Sequence, residues 1–211
     1  MATLPDGLVA VGGDLTPARL IAEYRRGVFP WYMPGQPVLW WNPDPRMVFP
    51  NCAVHVSRSL RKRLARKEFT FSLDCVFAQV ITACAAPRTV SDETWITPEM
   101  RAVYTELHHD GYAHSVEVWQ SGALVGGLYG IALGRVFFGE SMFSRVTDAS
   151  KAGFVTLASY LRRRDFALID GQLPNPHLER LGGMTCARSA FLSVLKGLVM
   201  PPDRVGRWTL P

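Results

Sequence analysis

What this chain lacks excludes several common chemistries. Its 211 residues hold only four cysteines, Cys52, Cys75, Cys84 and Cys186, with no CxxC and no cysteine/histidine spacing of a zinc site. Neither a disulfide framework nor a bound metal is therefore expected, and buried free thiols in a reducing compartment are. No apolar run approaches the ~20 residues needed to span a bilayer. Met1 to Asp14 has no basic segment ahead of an apolar one, so no signal peptide is expected. A soluble, cytoplasmic protein follows from these absences. Gly12-Gly13 near the start lacks the GxGxxG spacing and the preceding strand of a dinucleotide loop. Charged residues are few, 19% against 48% hydrophobic, which excludes a disordered chain. The length suffices for a real core. The charge that is present is unbalanced, net +5 with a pI near 9.2, which leans towards an anionic partner.

What is there is clearly punctuated. Thr16-Pro17 and Thr97-Pro98 each read as a helix start, threonine capping and proline in the first turn. Gly27 and Gly111 read as the corresponding stops. Asn175-Pro176 begins a short helix ending at Gly182-Gly183, and Ser189 to Gly197 is another. Phe69 to Leu73 alternates like a half-buried strand, Cys75 to Ala85 reads as a helix and Pro87 to Glu93 as a polar loop. Strands then dominate: Ala113 to Trp119, Ala123 to Leu133, and Arg135 to Phe138, with turns at Ser121-Gly122 and Gly134. Asp148 to Arg164 reads as a helix and Phe166 to Ile169 as a buried strand. Those last two strands are expected to stop at polar clusters, Gly139-Glu140-Ser141-Met142-Phe143-Ser144 and Asp170-Gly171-Gln172. In such strand, helix, strand units ligands sit beyond the carboxyl ends of the strands. Both clusters are candidate site residues by position as well as by type.

Two further stretches stand out. Trp31, Trp40 and Trp41 fall among several prolines, which suits either a small aromatic subdomain or a shelf for stacking a flat ligand. His55 to Lys67 contains six basic residues (Arg58, Arg61, Lys62, Arg63, Arg66, Lys67) and no acid, with Leu60 and Leu64 at i, i+4. It reads as a helix with one buried edge and a face suited to phosphates. The expected organisation is a small N-terminal domain over 1–54 and a larger domain over 55–211.

Helix, helix, three-strand meander, helix, strand, helix is the order of the acetyltransferase-like (GNAT-type) fold, an α/β (α+β) architecture with a mixed sheet. The glycine-rich pyrophosphate loop of its coenzyme A-binding members is replaced here by 144–151, which contains no glycine, so coenzyme A is not expected. The chain resembles the leucyl/phenylalanyl-tRNA–protein transferases. The matching stretches include Gly7-Leu8-Val9-Ala10-Val11-Gly12-Gly13-Asp14-Leu15, Arg26-Gly27-Val28-Phe29-Pro30-Trp31, Leu39-Trp40-Trp41-Asn42-Pro43-Asp44-Pro45-Arg46, Thr94-Trp95-Ile96-Thr97, His114-Ser115-Val116-Glu117-Val118-Trp119, Gly139 to Ser144 and Asn175-Pro176-His177-Leu178. They run in order over nearly the whole chain.

The resemblance implies transfer of leucine or phenylalanine from charged tRNA to proteins beginning with arginine or lysine, which marks them for degradation; because an apolar pocket discriminates poorly by shape, methionine is also expected to be accepted and β-branched valine and isoleucine to be disfavoured. It implies a catalytic pair Asp170 and Gln172, with Glu140 beside the acyl pocket. The family's usual cysteine between the pair is Gly171 here. It implies an aminoacyl pocket of Leu128, Phe137, Phe154, Leu157 and Ile169, and Tyr24, Trp31, Trp95 and Tyr104 around the 3′-terminal adenosine. Arg58, Arg61, Lys62, Arg63 and Arg66 would hold the acceptor-stem phosphates. The partners implied are aminoacyl-tRNA and proteins with N-terminal Arg or Lys, with no membrane, and the protein is expected to be a monomer.

The residue chemistry agrees. An aminoacyl ester is already activated, so ATP, metal and coenzyme A are not expected, and the protein must supply position. Asp170 and Gln172, two apart on a strand, are expected on one face, one holding the attacking amine and the other donating to the developing oxyanion. An acceptor bearing arginine or lysine calls for nearby acid, and Glu140, Asp148 and Glu117 are the candidates. Two other readings of the residues stay open: a small-molecule N-acetyltransferase, and an RNA-binding module that transfers nothing.

Overall fold

The computed structural model describes residues 6–86 and 94–210; the polar loop expected over Pro87 to Glu93 lies outside them. In chain order the elements are β1 (Leu8–Val11), α1 (Pro17–Arg25), β2 (Phe29–Pro30), β3 (Leu39–Trp41), β4 (Arg46–Pro50), α2 (Arg58–Ala65), β5 (Thr70–Leu73), α3 (Phe77–Ala85), α4 (Pro98–His109), β6 (Ala113–Gln120), β7 (Ala123–Leu133), β8 (Val136–Ser144), α5 (Ala149–Arg163), β9 (Leu168–Gln172), α6 (Pro176–Arg180), β10 (Met184–Cys186) and α7 (Arg188–Leu198). The helix starts are where the caps place them. Thr16 accepts from Arg19 N–H, Thr97 from Met100 N–H, and Asn175 from both His177 and Leu178 N–H, each followed by proline.

A small sheet has the order β1-β3-β2, and the large one β10-β4-β9-β8-β7-β6-β5. Every pairing is antiparallel except β8 with β9, which are parallel across the α5 connection. The order α3, α4, three-strand meander, α5, β9, α6 is that expected of the acetyltransferase-like fold. Strand β4, drawn from the expected N-terminal part, is inserted between β9 and β10. The large sheet therefore incorporates chain from before residue 55.

Two apolar clusters cover the two faces of the sheet. One gathers α1, α3, α4 and α7 over Tyr129, Ile131 and Phe138; the other packs α5 over Leu128, Phe137 and Ile169. The alternation of β7 and β8 residues between the clusters is the two-residue period of a sheet covered on both sides. Of the four cysteines, all free, Cys52 and Cys84 are buried, Cys186 is half-buried, and Cys75, against expectation, is exposed.

Candidate active site

The strands β8 and β9 do not stop where their apolar runs end. Parallel pairing between them covers Val136↔Leu168, Phe137↔Ile169 and Phe138↔Asp170. Beyond that point β8 continues against β7 as far as Ser144, and β9 continues against β4 as far as Gln172. Each continuation carries a bulge. Gly130 pairs with Gly139 but Tyr129 with Ser141, which leaves Glu140 as the extra residue. Val48 pairs with Asp170 but Met47 with Gln172, which leaves Gly171 extra. Bulges re-aim side chains, and these two sit side by side where the parallel pairing ends.

A cavity of about 810 Å³ opens there. Leu128, Phe137, Phe154 and Ile169 line its apolar side, with Glu140, Asp170 and Gln172 among its polar lining. Gly130 makes room for the Phe137 ring, since a Cβ at Gly130 would lie 2.6 Å from that ring's Cζ. Leu157, expected as a fifth pocket residue, is not a lining residue; it is fully buried in the same apolar cluster. Trp31 and Trp95 do line the cavity, and Trp31 is 40% exposed, its ring edge-on to Trp41.

Tyr24 and Tyr104 differ from the expectation of a base-stacking surface. Both are 0% exposed and offer no free ring face. Tyr24 OH lies 2.6 Å from Glu140 Oε1, Tyr104 OH lies 2.8 Å from Oε2, and the two hydroxyls are 2.6 Å apart. Three oxygen–oxygen contacts close a ring, yet the phenols bring only two protons. When the Glu140 carboxyl carries a proton it supplies the third, and three of the four oxygens then each donate once while the other carboxyl oxygen only accepts. Burial acts in the same direction and pushes the Glu140 carboxyl up to about 7, against the opposing pull of Tyr24, Tyr104 and Gln172. Burial, together with the neighbouring Glu140, raises both phenols well above the usual range.

Gln172 joins this ring by donating from Nε2 to Glu140 Oε1 at 2.8 Å. It does not reach its place by plain alternation from Asp170. Its backbone has φ 61, left-handed, and its N–H turns back to Asp170 Oδ1 at 2.9 Å. Gly171 between them is not open to solvent on its side-chain side. A Cβ there would lie 3.0 Å from Leu178 Cδ1 and 3.1 Å from Met47 Cγ, so a cysteine at this position would press on both.

Asp170 is wholly buried, and the residue that holds it, Arg46, has no role assigned by the sequence motifs that contain it. Arg46 donates from Nε to Oδ1 at 2.9 Å and from Nη2 to Oδ2 at 2.5 Å, both side chains 0% exposed. Arg46 also donates to the Gly27 carbonyl and lies between the rings of Phe29 and Phe191. A bidentate guanidinium fixes a carboxylate in plane and direction. The only signal for it in the sequence is an arginine closing the Trp41-Asn42-Pro43-Asp44-Pro45 run.

The acids expected for a cationic acceptor are mostly committed. Glu117 is buried and accepts from Ser72, Ser115 and the N–H groups at the start of α3. Asp148 pairs with Lys151 at 2.7 Å and with Arg63 at 3.6 Å. Glu140 alone of the three lines the cavity. In the basic helix, Arg58, Arg61, Lys62 and Arg66 are exposed. Arg63 turns inward, paired with Glu68 at 2.7 Å, donating to the Thr147 carbonyl and stacked on Phe69. It ties α2 to the start of α5 and is not free for a phosphate.

Residues 48–196 match the family model described as leucyl/phenylalanyl-tRNA protein transferase, and residues 13–44 match the model of its N-terminal domain. A protein of Azotobacter vinelandii named leucyl/phenylalanyl-tRNA–protein transferase is 60% identical over 191 residues, covering 90% of this chain and 84% of that protein. One of the same name from Nitratidesulfovibrio vulgaris is 53% identical over 208 residues, covering 98% of this chain and 89% of that protein. With both of its parts matched, this chain belongs to the leucyl/phenylalanyl-tRNA–protein transferase family.

Proposed function

We propose that this protein moves leucine or phenylalanine from charged tRNA to the N-terminal arginine or lysine of acceptor proteins, acting as a monomer in the cytoplasm and marking the acceptors for degradation. The observation that carries the reading is the cavity: an apolar floor of Leu128, Phe137, Phe154 and Ile169, with Glu140 and Gln172 hydrogen-bonded to each other at its polar side. The floor suits a leucine or phenylalanine side chain. Methionine fits the same floor, whereas β-branched side chains are stiff and disfavoured. Trp31 and Trp95 at the cavity offer rings to the terminal adenine, and Arg58, Arg61, Lys62 and Arg66 offer cations to the acceptor stem.

In this reading the amine nitrogen of the acceptor attacks the ester carbonyl carbon. An amide bond forms, the ester bond to the terminal ribose breaks, and the released ribose hydroxyl ends with a proton while the amine gives one up. The ester is already activated, so the scheme uses no ATP, metal or coenzyme A. Gln172, with one of its two Nε2 hydrogens given to Glu140, presents its carbonyl oxygen to an amine N–H. Glu140, as the carboxylate present above about 7, takes the proton, because its pKa is matched to an amine of about 7.7–8.0. Asp170, with both oxygens engaged by buried donors, acts through Gln172 as a positioning residue, not as the base.

The test is transfer of radiolabelled leucine from charged tRNA to a protein with N-terminal arginine. Label should appear in that protein and not in one beginning with serine. Equal binding of charged and uncharged tRNA with no transfer would point to an RNA-binding module. Transfer of acetyl from coenzyme A would point to an acetyltransferase.

A further inference from the structure

Beyond α7, residues 199–210 form no regular element but are strapped back over the domain. Asp203 accepts from Gly134 N–H at 2.8 Å and from Arg25 at 2.5 Å, and Arg204 donates to the Arg164 carbonyl. Gly206 N–H donates to the Gly111 carbonyl at 3.1 Å, a crossing so close that a Cβ on Gly111 would lie 2.3 Å from Gly206 N. The strap ends in a seat. Trp208 N–H donates to Asp74 Oδ2 at 2.7 Å, and Asp74 is fixed in turn by Ser115 N–H and by His114 Nδ1. The Trp208 indole, 3% exposed, lies flat on the His114 imidazole with centroids 3.7 Å apart, against Tyr160 at 4.9 Å and Phe137 at 5.9 Å.

Phe137 is the contact that matters, because its ring also lines the apolar cavity. Gly130 lies close against that ring, while the indole packs beside it. Protein interiors are close-packed and transmit such support from one layer to the next. We infer that the C-terminal strap supports the aminoacyl cavity from behind its lining residue Phe137 and that Trp208, a positioning residue acting through Phe137, sets the cavity's depth and hence the balance between leucine and phenylalanine. This rests on reading the cavity as the aminoacyl pocket. Removing the indole leaves a space into which Phe137 can retreat, so the deeper cavity accommodates the longer side chain better. Selection by a single carbon in an apolar pocket is worth about 10–200-fold.

The experiment measures kcat and KM with tRNA carrying leucine or phenylalanine, for Trp208→Ala, Trp208→Phe and Ile169→Ala, alongside urea unfolding of each variant. For Trp208→Ala the ratio of kcat/KM, phenylalanine over leucine, should rise about tenfold, carried by KM because the change lies behind the pocket and away from the ester. Trp208→Phe should shift the ratio the same way by less. A Trp208→Ala protein that unfolds more easily but slows both substrates equally would overturn the inference. If Trp208→Ala does not fold, Trp208→Phe decides, and a wild-type ratio there overturns it. Ile169→Ala separates the two levels. A ratio moved by Ile169→Ala but by neither Trp208 variant refutes the strap alone, whereas no movement in any of the three refutes the aminoacyl reading of the cavity.

Discussion

Replacing Glu140 by glutamine removes one titratable proton from the middle of the site while keeping the side chain's size. The folded carboxyl titrates at about 7, against an ordinary value of 4.5. The sign follows from linkage: the folded state holds a proton that the unfolded chain releases, so stability is fully present below about 4.5 and is lost as pH rises through about 7. At roughly 1.4 kcal/mol per pH unit the whole effect is about 3 kcal/mol, of which about 2 kcal/mol falls between pH 5.5 and 7.5. The assay is urea unfolding of wild type and Glu140→Gln at those two pH values, extrapolated to water. The wild type should lose about 2 kcal/mol relative to the variant on going up. Parallel losses in the two proteins would mean that Glu140 titrates as an ordinary carboxyl, and the three-proton ring with Tyr24 and Tyr104 would be refuted. Activity gives an independent reading. Transfer by the wild type should rise with pH through about 7, whereas the variant should be slower by about 100-fold and should keep only the later rise of the acceptor's own amine at about 7.7–8.0.

Three other outcomes are expected. Asp170→Asn should cost about 3–5 kcal/mol in unfolding experiments, because it leaves the Arg46 charge buried and unpaired; combining it with Arg46→Met should cost less than the sum of the two, and strict additivity would mean that the pair is not coupled. Gln172→Ala should lower kcat by about 100-fold with affinity for charged tRNA nearly unchanged, and a large drop in affinity would move Gln172 from chemistry to tRNA binding. Neutralising Arg58, Arg61, Lys62 and Arg66 should flatten the salt dependence of tRNA binding by a log–log slope of about 0.7–0.9 for each phosphate set free, whichever amino acid is carried; Arg63→Ala should lower stability and leave the slope alone, and the reverse pattern would return Arg63 to the phosphates.

Local signals are legible in the sequence and long-range ones are not. The helices that begin at Pro17, Pro98 and Pro176 announce themselves by cap and proline, and β7 occupies the span its apolar run predicts. Strands β1 to β4 are two to five residues long and are stabilised by partners far along the chain, so no periodicity within them marks their pairing. The ends of β8 and β9 lie beyond the expected ones because a polar residue reads as the end of a buried strand, whereas a bulge lets the strand continue while Glu140 is re-aimed. The resemblance puts Tyr24, Tyr104, Glu140, Asp170 and Gln172 at one site. Their contacts do not follow from it, because Tyr24 meets Glu140 across 116 positions and Arg46 meets Asp170 across 124. Arg63 departs from expectation for the same reason: its composition matches its basic neighbours, and only its helical position turns it towards Glu68 and Asp148.

The cost of the Arg46–Asp170 pair explains why the chain keeps it. Desolvating two charges is expensive, and apolar pairs of similar volume are often as stable or more so. What an apolar pair could not do is hold Gln172. That residue sits in the left-handed region, which costs a non-glycine residue on the order of 1–3 kcal/mol, and its N–H is satisfied by the carboxylate oxygen that Arg46 fixes. The side chain carried by that strained backbone then reaches Glu140, which the two phenols fix from below. One run of hydrogen bonds thus passes from the Gly27 carbonyl through Arg46, Asp170, Gln172 and Glu140 to Tyr24 and Tyr104. Both Tyr24 and Arg46 precede residue 55. The polar end of the cavity is therefore built jointly by the first fifty residues and the large sheet, and a chain cut between the two parts would lose the geometry of Gln172 and Glu140 even with every one of its later residues in place.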